Sequence, residues 1–145
     1  MKLTGCPLCL DDGGDGGLLV FKNDRLRVIQ AVEPGFPAFY RVVWNSHAAE
    51  FSDLSLEERK ICMNAVTTVE TTLRSELKPT KINLAALGNA VPHLHWHVVA
   101  RFDWDSHFPG SVWAAPLRQP DAQKLMQVSA QSERVNGLLA AALAS

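Results

Sequence analysis

His93-Leu94-His95-Trp96-His97-Val98-Val99 sets three histidines at strict alternation with apolar residues, in a chain of 145 residues with five histidines in all. Side chains at i, i+2 and i+4 of an extended strand project from one face. The spacing therefore predicts a strand from His93 to Arg101, with three imidazoles on one side and Leu94, Trp96 and Val98 on the other. One row builds a core and the other is free for chemistry. Imidazole titrates near pH ~6.5, so such a row can supply a nucleophile, a proton donor and a metal ligand within one patch. The three cannot all serve one ion without bending the strand, because the first and third lie ~13 Å apart. This weighs against a metal-dependent hydrolase built on the triad alone.

The same period recurs outward from this stretch. Leu18 to Phe21 and Lys81 to Ala86 read as strands, as does Ala38 to Trp44 with its run Val42, Val43, Trp44. In Arg25 to Val32, Leu26, Val28 and Gln30 alternate against Arg27 and Ile29, after a tight turn at Lys22 to Asp24. Ser55 followed by Glu58 is a capping box, and Cys62, Val66, Val69, Leu73 and Leu77 form one apolar helical stripe that Pro79 ends. Cys62 on that stripe reads as a core residue. A second helix is expected from Asp121, on Leu125, Val128, Val135, Leu138, Leu139 and Leu143. Asp11 to Gly17 reads as a connector, and Asp103 to Leu117 as a loop without a period. Two helices and about five strands, not strictly alternating, predict an α+β fold with a mainly antiparallel sheet. The expectation is one domain over 1–145, with its core at about 6–117 and a helical extension at 118–145.

Hydrophobic residues make up 47% of the chain and charged residues 20%, as in ordinary globular proteins. Fourteen Lys and Arg stand against fifteen Asp and Glu, a formal net charge of -1 that offers no long-range attraction to nucleic acid. The first twenty residues lack the pattern of a secretory leader, and no apolar run is long enough to span a bilayer. Cys6, Cys9 and Cys62 are an odd number of cysteines, two of them in a CxxC pair, which suits a reducing compartment better than a disulfide framework. The expected location is the cytoplasm, and the charge balance leaves a small phosphorylated molecule open as a ligand.

These residues resemble the histidine triad (HIT) superfamily, whose signature of three alternating histidines and two apolar residues is met by His93 to Val99. The resemblance extends through Lys81, Ile82, Asn83 and Leu84, through Gly88 and Asn89, and back to Pro34, Pro37 and Trp44 to His47. Within the superfamily the wording is similar to that of small bacterial HIT hydrolases. It implies a HIT-like fold, a homodimer, and hydrolysis or transfer at the α-phosphate of a nucleotidyl compound. His95 would be the nucleophile that forms a nucleotidyl-histidine intermediate, with one ring nitrogen held by a main-chain carbonyl near His93. His97 and Asn83 would bind the phosphate beside it, together with backbone N–H groups of Asn89, Ala90 and Val91. Ala90 stands where members often carry Ser or Thr. Ala31 stands where many carry an acid that binds ribose, with Glu33 as the substitute acid, and Trp113 is a candidate platform for the base. The resemblance also implies a structural zinc on Cys6, Cys9, His47 and His93. The competing reading is a non-catalytic nucleotide-binding module of the same fold, against which the intact middle histidine argues.

Overall fold

The computed structural model describes residues 1–10 and 17–145; the expected connector, Gly17 apart, lies outside the described residues. Five strands, β1 (Leu18–Lys22), β2 (Leu26–Gln30), β3 (Phe39–Trp44), β4 (Lys81–Ala85) and β5 (His95–Arg101), form one antiparallel sheet in the order β1-β2-β3-β5-β4. The α+β fold follows. Asn23 makes the first turn by accepting from the N–H groups of Arg25 and Leu26 at 2.9 Å.

Helix α1 (Leu56–Leu77) begins at the Ser55 capping box: Ser55 Oγ accepts from Glu58 N–H at 3.2 Å, and Ser55 N–H donates back to Glu58 at 2.8 Å. It ends at Lys78, in the left-handed region at φ 48°, immediately before Pro79. Its stripe of Cys62, Ala65, Val66, Val69 and Leu73 packs on the sheet face that carries Leu26, Val28, Tyr40, Val42, Val98 and Ala100. Burial pushes the Cys62 thiol up to about 11, as befits a core residue.

The C-terminal pattern is realised as two helices, α2 (Ala122–Ser129) and α3 (Ser132–Ala144). Positions 130 to 132 are Ala-Gln-Ser, without a large apolar group to hold a continuous stripe against the sheet. Ser132 and Asn136 instead anchor α3 through polar contacts. Tyr40 donates to Asn136 Oδ1 at 2.6 Å, Asn136 donates to Gln30 at 2.7 Å, and Gln30 donates to the Pro37 carbonyl at 2.8 Å and to Ser132 Oγ at 3.2 Å. The Tyr40 hydroxyl is buried and its pKa lies far above the ordinary phenol value. Every member of this chain is paired, so it fixes α3 in one register on the sheet. Val135 and Leu139 then join the same core as α1.

Candidate functional site

The opposite sheet face carries the chemistry. His95 and His97 are neighbours on it, with ring centroids 4.9 Å apart. His93 is not part of that row: β5 starts at His95. Pro92 supplies no N–H to a ladder, and a turn closed by His93 N–H donating to the Val91 carbonyl at 2.8 Å swings the side chain away. The His93 ring is fully buried against His47, with centroids 5.1 Å apart.

Two carbonyls decide which nitrogens carry protons, because a carbonyl only accepts. His93 Nε2 lies 2.5 Å from the Trp44 carbonyl, so Nε2 bears the hydrogen and the Nδ1 lone pair faces Cys6 Sγ and Cys9 Sγ, each 3.4 Å away. His47 Nδ1 is also 3.4 Å from Cys9 Sγ, and the four ligand atoms of Cys6, Cys9, His47 and His93 all lie within 4.8 Å of one another. A tetrahedral zinc holds its sulfur and nitrogen ligands roughly 3.5 Å apart. The donor set and spacing fit zinc, with all four positions filled by protein. Leu3 N–H donates to Cys9 Sγ at 3.3 Å, and His47 N–H to the Met1 carbonyl at 2.6 Å, so the N-terminal segment folds around this cluster.

One residue pair further on, His95 Nδ1 lies 2.6 Å from the His93 carbonyl. The His95 proton is therefore on Nδ1, and Nε2 keeps its lone pair. Beside it, His97 is depressed to about 4, chiefly by burial, with electrostatic interactions with His95 and Arg41 adding to the effect. His97 is neutral at pH 7. Its Nδ1 is buried without a hydrogen-bond partner among the described residues, which leaves Nε2 as the nitrogen for a ligand.

His97 lines a cleft of about 510 Å³ together with Asn83, Ala85, Val99, Val112 and Trp113. The Trp113 ring is half exposed and stands edge-on to His97, centroids 5.0 Å apart. His95 borders an adjoining recess of about 230 Å³ with Phe51, Leu87, Gly88 and Trp96. Gly88, at φ +70°, starts the loop toward β5, and the N–H groups of Asn89, Ala90 and Val91 make no hydrogen bond among the described residues.

Glu33 is not brought to this cleft. It borders a separate recess, and its carboxylate lies 3.7 Å from Arg41. Ala31 is 6% exposed and packed with Phe36, Phe39 and Val99 under Val112. Ala31 stands among these apolar groups where a ribose-binding acid was expected, and it lines the recess of Glu33 rather than the cleft of His97, so an added carboxylate there would be pressed against apolar side chains. Ala31→Asp should destabilise the fold by roughly 3 kcal/mol or more, as measured by urea denaturation. Unchanged stability with tighter nucleotide binding would show instead that position 31 opens to the ligand.

Arg101 continues the alternation of His95, His97 and Val99 to the end of β5, but neither it nor Asp105 stands out in the sequence as part of a site. A charge inside the apolar run of β5 was the one available hint. Trp44, Trp96 and Trp104 pack in or against the core. His107 accompanies Ser106, whose Oγ is 2.7 Å from its Nδ1, outside the cleft.

Comparison with known proteins adds the following. The sequence profile described as the HIT domain matches residues 16–104. A solved histidine triad protein of Bradyrhizobium japonicum is 28% identical, over 81% of this chain and 89% of that one, with a TM-score of 0.65. One from Marinobacter aquaeolei VT8 is 24% identical over 86% and 91%, with a TM-score of 0.67. A protein from Mycobacterium smegmatis, described as a zinc-bound histidine triad family protein, is 21% identical over 97% and 94%, with a TM-score of 0.62. No curated protein matches the sequence.

Proposed function

Since the chain belongs to the HIT domain family, we propose that it is a nucleotidyl hydrolase or transferase that works through a histidine-bound intermediate. The observation that carries this is the His95 imidazole, with Nδ1–H tied to the His93 carbonyl at 2.6 Å and the Nε2 lone pair left to attack. Nε2 attacks the α-phosphorus, and the bond from phosphorus to the leaving oxygen or nitrogen breaks, its electron pair departing with that atom. His97 donates from Nε2 to the phosphate or to the leaving atom. Water then cleaves the phosphorus–nitrogen bond and restores His95. Asn83 and the N–H groups of Asn89, Ala90 and Val91 hold the phosphoryl charge, as preorganised donors do best in a partly dry site. Trp113 offers the base a ring face at the cleft rim.

Cys6, Cys9, His47 and His93 would hold zinc as a structural ion, in line with the zinc-bound description of the Mycobacterium smegmatis relative. Bound there, it supplies cross-linking of the N-terminal segment to the sheet. The whole chain acts as one HIT unit, since α3 shares the core of the sheet. A homodimer is supported by β4, a strand that among the described residues pairs with β5 alone and exposes Leu84. A cytoplasmic location is supported by three unpaired cysteines, and no helix among the described residues is long and apolar enough to cross a membrane.

The test is hydrolysis across adenylyl and guanylyl phosphoramidates and dinucleoside polyphosphates, followed by release of the nucleoside monophosphate. Turnover of at least one class, with an acid-labile phosphorus adduct on His95 in rapidly quenched samples, is the expected result. Tight nucleotide binding with no turnover of any compound would favour the binding-module reading.

A further inference from the structure

Positions 95, 97, 99 and 101 of β5 share one face, so Arg101 ends the row that His95 begins. Its guanidinium is 1% exposed. Nε and Nη2 donate to the two carboxylate oxygens of Asp105 at 2.8 and 3.1 Å, Nη2 also to the Gly110 carbonyl at 2.8 Å, and Nη1 to Asn83 Oδ1 at 2.8 Å. The rings of Phe36 and Phe108 each lie 5.8 Å from Cζ. Burial alone would raise the Asp105 pKa. The guanidinium and the N–H groups of His107, Phe102 and Phe108 outweigh it and hold the carboxyl below its ordinary value.

A buried ion pair of this kind adds little stability over an apolar filling of the same shape. What it adds here is orientation. A guanidinium only donates, so it fixes the Asn83 amide with Oδ1 inward and Nδ2 on the opposite side, in the residue that lines the cleft with His97. The same fork holds Gly110, three residues before Trp113. One side chain thus ties a phosphate donor and an aromatic wall of the cleft to a common point.

We propose that Arg101, clamped by Asp105, is a positioning residue that holds the Asn83 amide donor and the Gly110–Trp113 segment in place for an anionic ligand. This rests on the reading of the cleft as a nucleotide site. A lysine at 101 keeps the charge beside Asp105 but lacks the planar fork that reaches Asn83 and Gly110 together.

Two measurements separate this inference from that reading. Nitrogen-15 relaxation of the Asn83 side-chain amide should show an ordered group in the wild type and a mobile one in Arg101→Lys. Titration with adenosine or guanosine monophosphate should show about tenfold weaker binding in Asn83→Ala, a loss at least as large in Arg101→Lys, and no further loss in the double variant beyond that of Arg101→Lys. A purely structural role for Arg101 would multiply the two losses, and that result overturns the proposal, as does an equally ordered Asn83 amide in Arg101→Lys. Ordering lost in Arg101→Lys, with no nucleotide binding by the wild type, would uphold Arg101 as the anchor of Asn83 and sink the nucleotide reading. If Arg101→Lys does not fold, Asn83→Ala answers the question: the Arg101 Nη1 hydrogens should exchange with water faster than in the wild type, and unchanged exchange overturns the proposal.

Discussion

His95→Asn is expected to lower turnover by a factor on the order of 10³ or more, with the folded protein unchanged by circular dichroism and its melting temperature within a few degrees of the wild type. The large loss follows from the division of labour in β5. His95 presents a lone pair whose opposite nitrogen is fixed, and no other imidazole of the row can take its place: His93 turns its own lone pair to the cysteines, and His97 is packed behind Trp113. The small effect on stability follows from burial, since the strand is held by Leu94, Val98 and Ala100 on the other face while the His95 ring is only partly buried. Asparagine is the sharper replacement, because it can still hydrogen-bond at that position but cannot form the adduct. Wild-type turnover in His95→Asn would end the covalent mechanism. A variant that binds nucleotide as before but does not turn over is the expected outcome.

Removal of the metal, by chelation or by Cys6→Ser, should lower the melting temperature by roughly 10 °C or more. The rate, measured well below the new melting temperature, should fall less than tenfold. Cys6 and Cys9 are buried beside Leu8, Ile29 and Val43, so an empty or broken site leaves thiols and imidazoles packed together without the ion that compensates them. Arg27, which donates to the Leu8 carbonyl at 2.7 Å, would keep part of the segment in place. The link to chemistry runs only through the main chain, from the His93 ring to its own carbonyl and thence to His95 Nδ1. Metal content near one zinc per chain, by elemental analysis of protein purified without chelator, is the companion measurement. Loss of rate with no loss of stability would show that the ion acts on the reaction.

What repeats along the chain was legible without a structure. The alternation in residues 26–30 and 95–101 gave two strands and their faces, because a pleat returns every second side chain to the same side whatever surrounds it, and the apolar run Val42, Val43, Trp44 marked the strand at 39–44. The cap at Ser55 and the stripe from Cys62 to Leu73 gave α1, because both depend on neighbours within one or two turns. The metal quartet was read through the resemblance, residue by residue. Only the tertiary structure could take His93 out of the triad row, since its partners, the Trp44 carbonyl and Cys6, lie 49 and 87 residues away. The same holds for Arg101, whose bond to Asn83 spans 18 residues between two strands, and for Ala31, which packs with Phe36, Phe39 and Val99 away from the His97 cleft. Periodicity is a property of local geometry, whereas the direction of a single polar side chain is set by whichever distant group meets its hydrogen-bonding needs once the chain has closed around it.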